Sequence, residues 1–145
     1  MFAQLIPRLQ WSVSEMAVTV EAIAAQLPSR DIAESQRADI TKFCKEFAAA
    51  MTAVRDAIRI LEDKLGMHPG EQAYDPTVLN REPVITIFLI SKWLREQNDR
   101  IQVIVPRSEG GAYTLMARAA VNVAKANEEA QDVLTAIRSE LSSVH

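Results

Sequence analysis

The chain has 145 residues, a formal net charge of −3 and a single cysteine. That length suits one domain over residues 1–145, large enough to bury roughly two-thirds of its unfolded surface without a covalent staple. One cysteine excludes an internal disulfide and every multi-cysteine metal site, and the mild acidity argues against a general nucleic-acid binder, which needs a basic face to displace phosphate counterions.

From Ile6 the apolar positions run Ile6, Leu9, Val13, Met16, Val20, Ile23 and Leu27. Steps of three and four alternate, which is the seam of a helix. Pro7 falls in the expected first turn, where a missing N–H costs little, and Pro28 ends the segment by disfavouring the α conformation at Leu27. The tight turn that follows makes the next helix an antiparallel neighbour.

The second helix is expected from Asp31, with Glu34 three positions on as a capping-box-like pair. A break near Ser35 is the alternative. Its core face reads Ile40, Phe43, Phe47, Ala50, Val54, Ala57 and Leu61, and Cys44, Met51, Ile58 and Leu65 widen it enough to face two neighbours. Gly66 stands where a left-handed residue closes a helix, with Met67 placed to touch Leu61.

Residues 66–82, GMHPGEQAYDPTVLNRE, form a connection about twice as long as bundle loops usually are. Asp75 and Pro76 make a good N-cap and first-turn pair, so a short helical turn is expected over residues 75–80.

Residues 83–105, PVITIFLISKWLREQNDRIQVIV, combine strand-like composition with helical spacing. No Gly or Pro interrupts them, and Ile87, Ile90, Leu94, Ile101 and Ile104 continue one stripe broken at Gln97, so one helix is predicted. A strand or loop over residues 101–105 is the alternative. Residues 84–90 are apolar on nearly every side, which predicts full enclosure with the other helices packed around this one. The last helix carries Met116, Ala119, Val123, Ala126, Ala130, Val133 and Ile137, and its alanines permit close approach of a neighbour. An all-α four-helix bundle results, with one long connection between helices 2 and 3 and the up-down order open.

Chemistry-bearing residues are few. The two histidines are His68 and His145, and no Glu-x-x-His occurs, so no metal and no cofactor are expected. Cys44 sits on an apolar helix face, where an inert buried thiol is the default. Ser108 before the last helix reads as a cap, although free amides in that turn could hold an anion. The eight residues 138–145 resemble, through Arg138 and His145, the Arg-x4-6-His motif of HEPN-type ribonucleases; the likeness ends with those eight residues, and no activity is carried over.

The residue inventory therefore points away from an enzyme and toward an interaction or regulatory bundle. Trp11, Val18 and Ala25 recur every seven residues off the main seam of helix 1. They mark a partner contact, with a homo-oligomer the expected assembly, or else they are buried within the monomer. The rival reading is a sensor or carrier with a small-molecule pocket near residues 66–82, lined by Met67, His68, Tyr74, Phe88 and Trp93. No signal-peptide pattern and no apolar run of about 20 residues is present, so a cytoplasmic chain without a membrane span is expected.

Overall fold

A computed structural model of the protein describes residues 2–29, 32–66 and 81–143. Four long helices account for most of them: α1 (Phe2–Gln26), α2 (Glu34–Lys64), α3 (Arg81–Ile104) and α4 (Gly110–Ser143). Single 3-10 turns, Leu27–Ser29 and Val105–Arg107, follow α1 and α3, and no strand occurs among the described residues. The fold is an all-α four-helix bundle.

Polar contacts between helices fix the topology. Lys64 Nζ lies 2.5 Å from Glu82 Oε2, and an equal distance along both helices in opposite senses Glu46 pairs with Arg100, so α2 and α3 are antiparallel. Ser91 with Gln131 and Gln102 with the Ala120 carbonyl do the same for α3 and α4. Between α1 and α2, Gln10 reaches Glu62 and Cys44 reaches the Val20 carbonyl. α1 packs against α2 and α4, and α3 against the same two. The order is therefore up-down-up-down, with α4 closing the ring against α1. At the end where α2 and α4 begin, the Glu109 amide donates to Gln36 Oε1 across 3.1 Å.

The seams read from the sequence form the core. Every position of the α1 series from Ile6 to Leu27 is buried, as is every position of the α4 series from Met116 to Ile137. The most extensive association is between α1 and α4, and small buried side chains, Ser12 on α1 and Ala119, Ala126 and Ala130 on α4, permit backbones to approach. Polar groups between α3 and α4 are paired: Gln131 Nε2 donates to the Ser91 carbonyl and to Asn127 Oδ1, each at 3.1 Å, while its Oε1 accepts from Ser91 Oγ. One-residue slips along α3 and α4 would orphan these groups, so the network pins their register.

Four expectations are corrected. Residues 84–90 are not enclosed: Ile85 and Phe88 are 58% and 60% exposed, whereas Ile87, Ile90, Leu94 and Ile101 are buried. A ring of four gives each helix two neighbours, so one stripe of α3 suffices and α3 is no hub. Its second half is helical, with buried Gln97 filling the gap in the stripe and accepting from Arg100 Nη1 at 2.8 Å. α1 starts at Phe2 rather than at Ile6, because Leu5 and Ile6 are buried and draw the helix back. Pro7 then lies one turn inside, where it frees only the exposed Ala3 carbonyl to water. α2 begins at Glu34 with Ala33 at its N-cap and no side-chain cap, while Asp31 lies outside the described residues. Ser108 does not cap α4 either; its hydroxyl donates back to the Ile104 carbonyl at 3.0 Å. Gly66 has φ 68°, the left-handed closure expected of it, but Met67 and the turn over residues 75–80 lie outside the described residues.

Candidate functional site: the outward face of α1 and the slot between α1 and α2

Helix α1 contributes one face to the core and leaves the other to solvent. At about 100° per residue, Gln4, Pro7, Trp11, Val18, Ala22 and Ala25 fall within a sector of about 60°. All six are exposed, Trp11 at 65% and Val18 at 58%. None is charged, over a length of about 32 Å at 1.5 Å per residue. Arg8, Glu15 and Glu21 flank the strip without entering it. Trp11, Val18 and Ala25 are thus brought together on one solvent-facing strip.

The five residues read as a ligand pocket fare differently. Met67, His68 and Tyr74 lie outside the described residues. Phe88 points outward from α3, and Trp93 is half-buried against the core. Five residues apart on one helix, these two rings are separated by about 140° around its axis and do not face a common space. Phe88 instead shares the outer side of α3 with Ile85 and Val103, across a middle occupied by Lys92, Glu96 and Asp99.

A pocket that the sequence did not suggest runs along the seam between α1 and α2, with a volume of about 550 Å³. Ala17, Val20 and Ala24 form one wall, and Cys44, Ala48 and Met51 the other. The lip on α2 carries Arg37, Thr41, Lys45, Thr52 and Arg55, with the exposed Ala48 among them. Opposite, Glu21 is the acidic lining residue contributed by α1. Beyond Arg55 the seam opens again beside Gln10, Ser14 and Ile58, a further 210 Å³.

Two cations of the α2 lip, Lys45 and Arg55, have no acid at helical spacing on α2. Positions three and four residues from Lys45 are Thr41, Lys42, Ala48 and Ala49; those from Arg55 are Met51, Thr52, Ile58 and Arg59. No carboxylate is among them, so the usual helical ion pairs cannot form. Neither Lys45 nor Arg55 makes an ion pair or side-chain hydrogen bond among the described residues. Arg37 differs, since its Nη2 reaches the Ile32 carbonyl at 3.4 Å. The one trace in sequence is this run of cations on α2 without acids at helical spacing.

Cys44 lies in the slot's wall, 8% exposed, with Sγ 3.9 Å from the Val20 carbonyl oxygen. Burial pushes its thiol up from 9.0 to about 11, because the thiolate would lose its hydration there. At neutral pH the group is a neutral thiol, unsuited to nucleophilic work. His68 and His145 both lie outside the described residues, so Arg138 has no described partner for the ribonuclease-like pair.

A second polar cluster is structural. Arg100 binds Glu46 and Gln97, and its guanidinium carbon stands 5.4 Å from the centroid of Phe43, whose ring lies 5.7 Å from that of Phe47. These contacts tie α3 to α2 and commit the guanidinium to Glu46, Gln97 and the Phe43 ring.

Among the described residues no group of three His, Cys, Asp or Glu side chains is placed to hold a metal ion, and no helix is long and apolar enough to cross a membrane. In comparisons with known proteins, no family model, no curated protein and no solved structure matches this chain.

Proposed function

We propose that the chain is a non-enzymatic interaction bundle of the reducing cytoplasm, and that it associates with a second copy of itself through the outward face of α1. The observation that carries this reading is the uncharged strip from Gln4 to Ala25 with a 65% exposed tryptophan in it. A tryptophan in such a position costs solvation free energy unless something covers it, and tryptophan is a preferred anchor of interfaces.

A second copy is the partner the strip itself favours. Two-fold association lays a surface on itself, which brings like charges together unless the surface has none. This strip has none. Antiparallel pairing also sets the bulky Trp11 of one copy against the smaller Val18 and Ala22 region of the other, so large meets small along the contact.

Size-exclusion chromatography with light scattering, from micromolar to millimolar protein, tests the reading. We expect a concentration-dependent dimer, and Trp11→Glu should weaken it at least thirtyfold with helicity retained, the effect of losing an anchor worth about 2 kcal/mol. A chain that stays monomeric throughout that range, or a Trp11→Glu variant that dimerises equally well, refutes it.

A further inference from the structure

We infer that the slot between α1 and α2 is a binding site for an unbranched monocarboxylate, a fatty-acid-like anion whose head is clamped by Arg55 and whose chain lies along the seam past Ala48 to Cys44. This goes beyond self-association and does not depend on it, because the α2 lip lies off the exposed strip of α1. Three features of the slot carry the inference.

The first is its size. About 550 Å³ falls within the range of roughly 300–1,000 Å³ typical of small-molecule pockets. The second is its cross-section. The apolar floor lies between two helices, with Val20, Leu27, Phe47 and Met51 beside the alanines, and Arg37, Lys45 and Arg55 stand along its α2 side. A partner helix, about 10–12 Å across, would have to seat itself over Arg37, Lys45 and Arg55. An unbranched chain enters between them.

Charge is the third feature. Arg55 stands at one end of the floor with its guanidinium uncommitted, and a guanidinium meets a carboxylate through two parallel hydrogen bonds. Lys45, likewise uncommitted, stands next to Cys44, about 15 Å along α2 from Arg55, and adds attraction for an anion. From Arg55 to Cys44 the slot runs about 16 Å at 1.5 Å per residue. Cys44, the chain's one cysteine, lies in the wall partway along the slot, which continues to Thr41 and Arg37, and so reports on a chain that extends that far from Arg55.

Calorimetric titration of the full chain with dodecanoate, decanoate and dodecyltrimethylammonium, below their micelle-forming concentrations, tests the assignment. Dodecanoate should saturate at one per chain and slow alkylation of Cys44. Decanoate, two methylenes shorter, should bind about fifteenfold more weakly. The cationic homologue should not bind. Arg55→Gln should weaken dodecanoate at least tenfold, and Ala48→Trp, which fills the slot from an exposed helix position, should abolish binding while the circular dichroism melt is unchanged.

Failure of dodecanoate to saturate below its micelle-forming concentration overturns the proposal. So does equal binding of the cationic homologue, undiminished binding to Arg55→Gln, or binding of an acidic amphipathic peptide to the slot where dodecanoate does not bind. Where Ala48→Trp fails to fold, protection of Cys44 in the unaltered chain decides: unprotected Cys44 at saturating dodecanoate refutes the site.

Discussion

Truncating two neighbouring apolar residues of α3 should have opposite consequences, and the contrast reads out the packing of the bundle. Ile90 is fully buried and Phe88 is 60% exposed. Ile90→Ala removes buried methyl groups and leaves a cavity among close-packed side chains, a change that costs about 2–5 kcal/mol. Phe88→Ala removes a larger side chain, but most of it is already in water. Full burial of such a side chain contributes about 1.5–3 kcal/mol, so its covered part accounts for about 1 kcal/mol at most. Alanine's higher helix propensity returns about half of that. In a chain of this length about 1 kcal/mol shifts the melting temperature by about 3–4 °C. Thermal melts followed by circular dichroism, at a protein concentration low enough to keep the chain monomeric, should show Ile90→Ala lowered by about 10 °C and Phe88→Ala by less than about 2 °C. Equal losses for the two variants would mean that the outer side of α3 is covered within a single chain, which would refute a ring in which α3 has only two neighbours.

Gly110 has φ +57°, and a methyl group added there would meet nothing within 4 Å. Gly110→Ala therefore carries the backbone cost alone, about 1–2 kcal/mol, read as a modest drop in melting temperature; an unchanged melt would refute the left-handed start of α4. Burial raises the Cys44 thiol from 9.0 to about 11. A thiol whose folded value is raised contributes stability that is fully present below about pH 9 and lost as pH rises toward about 11, since the unfolded chain gains its thiolate first. The alkylation rate of the folded chain should accordingly rise through about pH 11, and that of the denatured chain through about pH 9. An inflection near 9 in the folded chain would place Cys44 in water.

Much of the fold was legible because the heptad-like seams of α1 and α4 are statements about direction. Leu9, Val13, Met16 and Val20 recur at steps that hold one side of a helix, and all four are buried. The apolar run in α3 is a statement about composition only. Successive residues turn by about 100°, so a run from 84 to 90 must send Ile85 and Phe88 away from any core that lies on one side. Enclosure on all sides would have required a third neighbour, and nothing in the run itself says how many neighbours a helix has. Helix order was hidden for a related reason. It is set by pairs such as Lys64 with Glu82 and Glu46 with Arg100, which become contacts only once the helices are side by side.

The slot was illegible because its walls come from two helices and its emptiness comes from the core. Phe47 and Met51 are buried at the base of this seam and are too large to let the two helices close upon each other. At that spacing Ala17 and Ala24 on one helix and Ala48 on the other cannot reach across, and the groove between their flanks stays open. A larger residue at Ala48 would close it without touching the core. Each alanine taken alone is an ordinary helix former, Ala17 buried and Ala24 and Ala48 exposed. Their meaning depends on facing one another, and on standing beside Lys45 and Arg55, two cations that the helix gives no acid to pair with.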